Sequence, residues 1–346
     1  MSWKEEGNLM ETKMLDGSQI EEAADIIKKG GLVAVPTETV YGLAADALNG
    51  DAVKKIFAAK GRPADNPLIV HIAELSQIYS LVREFPEKAR ILAERFWPGP
   101  LTIILPKSEL IPDEVSAGLD TVAVRFPSNK LAQALIKRSS PLAAPSANLS
   151  GSPSPTSAGH VYDDMNGRID AIIDGGSCEV GVESTVITLA ADPPRLLRPG
   201  GITLEQLRAA VGEVVLDDAV MNPLKNGEQA ASPGMKYKHY SPKADIVLIK
   251  GASSDFVDYV NLHKGENIAA LCYENEVDRL ELPVIVMGEE NDYVQQANRL
   301  FAALRAADEK GFKTVYAHCP KPEGIGLAVY NRIIRAAGFE VTDLEK

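Results

Sequence analysis

Short apolar runs recur through the first two hundred residues of the chain, separated by polar and turn-forming stretches. Their length and their content of β-branched residues predict buried strands at residues 31–35, 68–72, 101–105, 121–125, 171–173 and 185–189. Helical patterns of apolar positions lie between several of these runs. Strands mixed with helices in this way predict one α/β domain.

Two helices of this part are predicted from the residues at their ends. One has its apolar positions on a single face, follows a possible Asp51 cap and stops at Gly61, a residue type common at helix C-termini. The other starts at Thr203, where Gln206 three residues later completes the spacing of a capping box.

The last hundred residues alternate more regularly between strand and helix patterns. Strands are predicted at residues 245–249, 267–271, 283–287 and 314–317, and the longest helix between them covers about 292–310. This order predicts a small doubly wound, Rossmann-like domain.

Residues 217–243 separate the two parts and lack apolar periodicity. They contain many turn-forming residues, which is typical of a linker. We therefore expect a first domain over residues 1–216, a linker over 217–243 and a second domain over 244–346.

The composition of all 346 residues is that of ordinary globular domains. Hydrophobic residues make up 45%, and 36 basic residues stand against 48 acidic ones, for a formal net charge of −12. Residues 1–243 and 244–346 share this acidic excess equally, so neither part is a basic nucleic-acid module. Tight nonspecific duplex binding, which requires Lys and Arg to neutralise phosphates, is disfavoured.

Two further features bear on location and chemistry. No run approaches the ~20 apolar residues of a membrane span, and the opening residues lack the basic-then-apolar order of a secretory signal, so we expect a cytoplasmic protein. The three cysteines are widely spaced without a C-x-x-C pair, which argues against a disulfide framework or a structural zinc site.

Two glycine-rich segments fail as phosphate-binding loops. Gly324-Ile-Gly326 precedes a helix, but Val329 replaces the third glycine of the dinucleotide motif, and close packing explains the glycines better. Gly176 and Gly181 have the spacing of a P-loop, yet Val-Glu follows where Lys-Ser/Thr is required. A nucleotide would have to bind by another route.

Polar side chains gather instead just after the buried strands, where open α/β sheets usually hold ligands. PTETVYGL at residues 36–43 places two threonines, a carboxylate and a phenol within six residues, more than an ordinary strand-to-helix turn needs. KGRPADN at 60–66 puts Lys60 and Arg62 at a helix C-terminus. The helix dipole would account for one cation, whereas two favour a fork for phosphate oxygens.

A third polar loop, AAPSANLSGSPS at 143–154, is either a flexible turn or a loop whose Ser146 and Asn148 bind phosphate or position a metal's waters. Arg125 and Arg198 lie at or beyond strand ends. Single arginines there are usually surface charges, but arginines that converge with the 60–62 segment would form an anion pocket. His71 lies within a predicted strand and is almost as easily explained as a core histidine as by a ligand contact.

Taken together, these segments closely resemble the threonylcarbamoyl-AMP synthase family. The likeness is carried by PTETVYGL, KGRPADNPL, the Lys60-x-Arg62 and Ser146-x-Asn148 pairs, ESTV at 183–186, RPGG at 198–201 and SPGMKYKHYSP at 232–242, and it covers nearly the whole chain. It implies a YrdC-like catalytic domain with a twisted mixed sheet, a linker and a Rossmann-like second domain.

The resemblance implies a nucleotidyltransferase that makes threonylcarbamoyl-adenylate from L-threonine, bicarbonate or CO2, and ATP, with release of pyrophosphate. Mg2+ would be held by the ATP phosphates without a dedicated protein site. The product would pass to a transferase complex that modifies the tRNA adenosine beside the anticodon. Direct RNA binding would be weak or absent.

Carried over position by position, the resemblance implies a catalytic tetrad and two sets of binding residues. The tetrad consists of Lys60, Arg62, Ser146 and Asn148. The residues implied for threonine are Thr39, His71, Arg125, Ala144 and Ser184. The residues implied for ATP are Arg62, Asn66, Thr121, Ser146, Ser154, Arg198 and Tyr240. Tyr240 belongs to the linker, which we expect to act as a lid over the site.

The residue types suit this chemistry. A guanidinium such as that of Arg125 can bind an amino-acid carboxylate through two hydrogen bonds. Lys60, Arg62 and Arg198, together with Mg2+, would stabilise the charge on departing pyrophosphate. A carbamate that attacks the α-phosphorus itself needs no covalent protein nucleophile, so alignment and charge are the main contributions expected of the protein.

Two other interpretations are weighed against this one. A noncatalytic RNA-binding module of the same fold would need a local basic groove, since both parts are acidic overall. A carbamoyltransferase of hydrogenase maturation, which contains a YrdC-like module, would be much longer and carry zinc-type C-x-x-C pairs. The role of the second domain is open in every case.

Overall fold

The computed structural model describes residues 11–223 and 240–345. Within them the strands form two sheets, one of eleven strands and one of five. Short 3-10 helices occur at Gly17–Gln19, Leu75–Gln77, Asp218–Val220 and Glu274–Arg279.

The first sheet contains β1 (Lys13–Leu15), β2 (Val33–Val35), β3 (Gly42–Asp46), β4 (Ile69–His71), β5 (Leu101–Pro106), β6 (Thr121–Arg125), β7 (Leu142–Ala143), β8 (Ala171–Ile173), β9 (Thr185–Thr188), β10 (Arg195–Arg198) and β11 (Val215–Leu216). The helices around it are α1 (Ile20–Lys28), α2 (Gly50–Lys60), α3 (Ile78–Leu81), α4 (Glu87–Phe96), α5 (Asp113–Ser116), α6 (Lys130–Arg138), α7 (Ala158–Met165) and α8 (Leu204–Val211).

The order of this sheet is β1-β8-β2-β3-β7-β4-β6-β5-β9-β10-β11, with parallel and antiparallel pairs mixed. Strand β4 lies between the antiparallel β7 and the parallel β6. The register of β4 and β6 pairs His71 with Arg125, so two predicted site residues end neighbouring strands side by side. The predicted mixed-sheet α/β fold of the first domain is confirmed.

Two local features differ from the alternatives weighed on the sequence. The segment at residues 36–41 leads into strand β3, which pairs antiparallel with β2, so it connects two strands and is not a strand-to-helix turn. The cap of α2 is Asn49, whose side chain accepts a hydrogen bond from the Ala52 amide, because the helix already begins at Gly50. The end of that helix at Gly61 and the capping box of Thr203 with Gln206 form as predicted.

The second sheet is parallel throughout, in the order β14-β13-β15-β12-β16. Its strands are β12 (Asp245–Lys250), β13 (Ile268–Tyr273), β14 (Val284–Gly288), β15 (Thr314–His318) and β16 (Val341–Asp343). Its helices are α9 (Ser253–Leu262), α10 (Tyr293–Glu309) and α11 (Gly326–Ala336). Helix α9 packs in a core cluster separate from that of α10 and α11, so helices cover both faces, as predicted for a doubly wound domain.

Helices α10 and α11 also pack against the first sheet's loops. Val40 and Val182 of the first part share a core cluster with Phe301 of α10. Gly181 allows this approach, because a Cβ there would stand 2.4 Å from the Asn298 Cα and its φ of +80° is unfavourable for other residues. Packing against α10 therefore accounts for this glycine without a phosphate-binding role.

The linker expected over residues 217–243 is described only at its ends. Residues 224–239 lie outside the described residues, and so does most of the segment expected to act as a lid. Val220 is fully buried, and its carbonyl accepts a hydrogen bond of 2.7 Å from the Asn331 side chain on α11.

Among the helices of the described part, none is long and apolar enough to cross a membrane.

Candidate active site

A cavity opens where the carboxyl ends of β4 and β6 meet the polar loops. Nine of the fourteen predicted site residues line it, namely Thr39, Arg62, His71, Arg125, Ala144, Ser146, Ser184, Arg198 and Tyr240. The other five, all within the described part of the chain, lie outside its lining: Lys60, Asn66, Thr121, Asn148 and Ser154. The cavity therefore brings together the predicted threonine residues and part of the predicted nucleotide set.

Arg125 is the buried cation of this cavity, with 3% of its surface exposed. Its Nη1 donates a hydrogen bond of 2.9 Å to the Thr39 hydroxyl. Its Nη2 lies 2.7 Å from Oε1 of Glu38, itself buried, but without hydrogen-bond geometry. Among the described residues, Nε and Nη2 of Arg125 have no hydrogen-bond partner, so two donors of a buried guanidinium remain available to an anion.

His71 lies beside Arg125 and is held by a contact of 3.2 Å between its Nδ1 and the Ile69 carbonyl. Burial, followed by the charge of Arg125, lowers the pKa of His71 to about 3. The imidazole is therefore neutral near pH 7. A neutral ring can accept or donate a hydrogen bond without adding to the positive charge of the cavity.

Arg198 also lines the cavity. Its Nε and Nη2 donate to the carbonyl and the hydroxyl of Ser184 at 3.0 and 3.1 Å, and that hydroxyl lies 2.8 Å from the Thr102 hydroxyl. Burial lowers the pKa of Arg198. Strand β10 ends at Arg198, and Gly200 follows where a Cβ would stand 2.3 Å from the Thr185 amide nitrogen. The RPGG segment thus fixes Arg198 by close backbone packing.

Arg62 approaches from the end of α2. The left-handed Gly61 turns the chain there, and Arg62 Nη2 donates a hydrogen bond of 3.0 Å to the Asn66 carbonyl. Burial lowers the pKa of Arg62 to about 10, so the guanidinium stays charged near pH 7. Arg62, Arg125 and Arg198 are the arginines that line the cavity.

The sequence favours Lys60 as a ligand of phosphate oxygens, but its side chain is not part of the cavity lining. Its Nζ donates to the backbone carbonyls of Ser146 and Asn148, at 2.5 and 2.6 Å. Burial lowers the pKa of Lys60 well below its ordinary value. Lys60 therefore holds the loop after β7 in position, while the neighbouring Arg62 reaches the cavity.

Asn66 and Thr121 lie at the opposite end of the same strands. The register pairs Ile69 with Ala123, and continuing it by two residues places Thr121 beside residue 67. Four residues of strand, about 13 Å, separate Thr121 from Arg125. Thr121 therefore lies away from the predicted threonine residues, while Asn66 contacts Arg62 of the cavity, and the nucleotide contacts of both stay predictions.

Glu183 ties the site to the second domain. Its carboxylate accepts a hydrogen bond from the Ser154 hydroxyl and pairs with Arg332 of α11 at 2.8 Å. Burial alone would raise the pKa of Glu183, but Arg332 and Arg198 outweigh it and lower that pKa. Ser154 therefore contacts Glu183, and its predicted ATP contact stays a prediction.

Tyr240 lines the cavity and contacts Arg332, the partner of Glu183. Its ring lies 5.5 Å from the Arg332 guanidinium and 5.3 Å from the Phe301 ring, and 1% of its surface is exposed. Its φ of +65° is a strained conformation for a bulky side chain, costing about 1–3 kcal/mol, and such strain is often found at functional sites. Burial raises the pKa of its hydroxyl.

Three charged residues of this arrangement were not assigned roles from the sequence. Glu38 lies within PTETVYGL, and its position in that polar segment was the available signal. Glu183 likewise belongs to the ESTV segment. Arg332 gives no local signal, since its partner is 149 residues away.

Across the described ranges, His, Cys, Asp and Glu side chains do not gather in a group of three or more that could hold a metal ion.

Comparison with known proteins finds two family models, one after the other along the chain. The family model described as "Telomere recombination", of the Sua5, YciO and YrdC proteins, matches residues 25–200. The model described as "Threonylcarbamoyl-AMP synthase, C-terminal domain" matches residues 202–338.

Full-length relatives agree with both models. A threonylcarbamoyl-AMP synthase of Pyrococcus abyssi is 48% identical over 333 residues, covering 93% of this chain and 95% of the relative. That of Bacillus subtilis is 46% identical over 328 residues, covering 93% and 94%. The crystal structure of P. abyssi Sua5 complexed with L-threonine has a TM-score of 0.89 at 44% identity, covering 96% of this chain and 100% of that one. The chain therefore belongs to the threonylcarbamoyl-AMP synthase family, in its two-domain form.

Proposed function

We propose that this protein synthesises L-threonylcarbamoyladenylate from L-threonine, bicarbonate or CO2, and ATP, releasing pyrophosphate. Family membership supports this activity, and one observation in the cavity carries its chemistry. Arg125 is buried, charged and left with two hydrogen-bond donors that no described residue fills. A carboxylate bound there would complete the guanidinium's hydrogen bonds, beside the Glu38 carboxylate that already lies 2.7 Å from Nη2.

We assign the threonine substrate to the Arg125 side of the cavity. Its carboxylate would accept hydrogen bonds from Arg125, while Thr39 holds the guanidinium in place at 2.9 Å. The neutral His71 and the Ser184 hydroxyl line the same cavity and would contact the remaining polar groups of the amino acid. The Ala144 backbone lies alongside them.

We assign the nucleotide to the region between Arg62, Arg198 and the Ser146 loop. Its phosphates would lie against the two guanidinium groups. Thr121 would contact a more distant part of the nucleotide, since it lies about 13 Å from Arg125 along strand β6. Asn66 would contact the nucleotide beside Arg62, which donates a hydrogen bond to its carbonyl. Mg2+ would accompany ATP as part of the substrate, and its charge would help to stabilise departing pyrophosphate.

The proposed reaction balances without a protein nucleophile. The unprotonated threonine nitrogen bonds to the carbon of CO2 and loses a proton, forming a carbamate. A carbamate oxygen then attacks the α-phosphorus, and the bond to the bridging oxygen of the β-phosphate breaks. Pyrophosphate leaves with that electron pair, so the contribution of the protein is orientation and charge stabilisation.

Within this proposal, Lys60 and Asn148 act differently from Arg62 and Ser146. Lys60 positions the loop of Ser146 through two backbone carbonyls, and the Asn148 side chain donates to the Leu149 and Ser152 carbonyls of the same loop. We propose that both are positioning residues.

We further propose that the product serves tRNA threonylcarbamoylation in the cytoplasm through a separate transferase complex.

The experiment is a pyrophosphate-release assay with the full chain, ATP and Mg2+. We expect release to require both L-threonine and bicarbonate, and to fall to background when either is omitted. Release that continues without threonine would contradict the proposed function.

A further inference from the structure

The second sheet has a point where its connections diverge. Strands β12 and β15 are adjacent and parallel, with Ile249 paired to His318 at their carboxyl ends. The chain leaves β12 for α9 on one face and leaves β15 for α11 on the other. In open α/β sheets, ligands bind in the crevice that such a divergence creates.

A cavity of about 230 Å³ lies at this place. Gly251 and Cys319, which directly follow β12 and β15, line it, and Tyr273 and Tyr330 contribute aromatic surface. Sites for drug-sized ligands usually measure about 300–1,000 Å³, so this one fits a smaller molecule. It is separate from the cavity of Arg125, since the two share no lining residue within ranges 11–223 and 240–345.

His318 lines the second cavity and is held in place by buried neighbours. His318 stacks on the Phe256 ring at 4.5 Å, and its Nδ1 lies 2.6 Å from a carboxylate oxygen of the fully buried Glu276. Glu276 also accepts hydrogen bonds from the Ser253 hydroxyl and the Tyr273 amide. A network satisfied in this way is rigid, which suits a preformed site.

The rim of the cavity carries charges of both signs. Lys321 lies 4.0 Å from Glu290, and Lys250 lies 2.6 Å from Glu345. All four residues line the cavity, and their charges cancel. A polyanion such as a nucleoside triphosphate would face two carboxylates, and a simple cation would face two lysines, whereas a zwitterion matches both signs.

We propose that this cavity of the second domain binds a free α-amino acid. The ligand's carboxylate pairs with Lys321, its ammonium pairs with Glu290, and its side chain lies against Tyr273 and Tyr330. The Lys321–Glu290 pair is the one that a ligand can enter, because its ions stand 4.0 Å apart while Lys250 is already in close contact with Glu345.

Dinucleotide binding at the adjacent glycine-rich segment explains the same region less well. A Cβ at Gly326 would stand 2.4 Å from the Lys321 carbonyl, so packing of the loop requires this glycine. The small volume and the two carboxylates also disfavour a dinucleotide.

The test is calorimetric titration of the full chain with each of the twenty L-amino acids, and with AMP and inorganic phosphate as separate probes. An Arg125→Ala background weakens threonine binding at the first cavity, so that tighter binding elsewhere can be told apart from it. We expect at least one amino acid to bind saturably, and neither phosphate nor AMP to bind at the second cavity.

Lys321→Glu and Glu290→Gln should each weaken that binding about tenfold or more. Both residues lie on the rim, where their replacement leaves the fold intact. Lys310→Glu makes the same charge change on an exposed residue outside the cavity lining and should leave affinity unchanged. The proposal is overturned if no amino acid binds, if Lys321→Glu and Lys310→Glu behave alike, or if AMP or phosphate binds and is lost in Lys321→Glu.

Discussion

At the scale of single residues, the binding of threonine depends most on Arg125. Replacing it with Ala removes charge-assisted hydrogen bonds, each worth ~1.5–3 kcal/mol, so the KM for threonine should rise by about 10- to 150-fold. The KM for ATP should change far less. Steady-state kinetics with each substrate varied in turn measure this difference.

Arg90→Ala provides the matched control, because Arg90 is an exposed arginine paired only with the neighbouring Glu87 among the ion pairs of the described residues. It should leave both KM values unchanged. Equal increases of the two KM values in Arg125→Ala would contradict the assignment of Arg125 to the threonine carboxylate.

The lowered pKa of His71 predicts how the free energy of unfolding depends on pH. Its pKa is lowered to about 3 in the folded protein, against ~6.5 in the unfolded chain. As pH falls below 6.5, the unfolded chain therefore takes up a proton that folded His71 does not, and stability is lost. From pH 7 to pH 5 this loss amounts to about 2 kcal/mol.

Denaturant unfolding at pH 7 and pH 5 measures that loss. The His71→Gln variant should lose about 2 kcal/mol less than the parent protein over this interval. An unchanged pH dependence in His71→Gln would show that this ring is not held neutral.

Residue types pointed to part of the cavity, and the family resemblance supplied the rest. Arg125 and Arg198 were candidates for an anion pocket because they lie at or beyond strand ends, whereas the residues alone left His71 open between a core position and a ligand contact. The orientation of Lys60 could not, since its partners are backbone carbonyls 86 and 88 residues away that carry no sequence signal. The sequence showed that the 36–43 segment contains a carboxylate, Glu38. Its pairing with Arg125 depends on the packing of loops and could not be predicted.

At the scale of elements, the loop after β7 is held at several points. Lys60 binds the carbonyls of Ser146 and Asn148, and the Tyr41 carbonyl accepts from the Ala147 amide at 2.8 Å. Lys60→Met keeps the apolar stem but leaves two buried carbonyls without their donor. We expect a loss of about 2–4 kcal/mol in the free energy of unfolding and a large loss of kcat/KM.

Lys55→Met is the control on the same helix. The Lys55 Nζ also donates to a backbone carbonyl, that of Gly30, but Lys55 is exposed and water can replace it. Its loss should cost less than about 1 kcal/mol and leave activity intact. Thermal unfolding and kinetics of the two variants check this contrast, and equal effects would contradict a positioning role for Lys60.

Elements with strong local patterns were predictable. The strand at residues 121–125 and the helix at 293–309 form close to their predicted bounds, because apolar periodicity and end signals agree there. Strand β3 was missed, since Gly42 and Ala44 have low strand propensity and the strand is stabilised by its antiparallel partner β2.

At the scale of the whole molecule, the second domain supports the cavity of the first. Arg332 of α11 and Glu183 form a pair in which the Arg332 side chain is fully buried. Removing either partner leaves a buried charge uncompensated, at a cost of about 3–5 kcal/mol. We expect Arg332→Met and Glu183→Gln each to destabilise the protein strongly, and the double variant to lose clearly less than their sum.

A double-mutant cycle on the free energy of unfolding measures this coupling. The exposed pair of Arg299 and Glu274, 3.0 Å apart, is the control, and Arg299→Met should cost less than about 1 kcal/mol. Additive effects at Arg332 and Glu183 would contradict a structural link between α11 and the site. No sequence pattern could predict this link, because it joins helices and loops that are distant along the chain.

The central claim is that carbon from bicarbonate joins threonine to AMP. Incubation of the full chain with ATP, Mg2+, L-threonine and 13C-labelled bicarbonate, followed by mass spectrometry of the adenylate, tests it directly. The account predicts an adenylate that contains threonine and one labelled carbon. A threonine adenylate without the label, or labelled material without threonine, would contradict it.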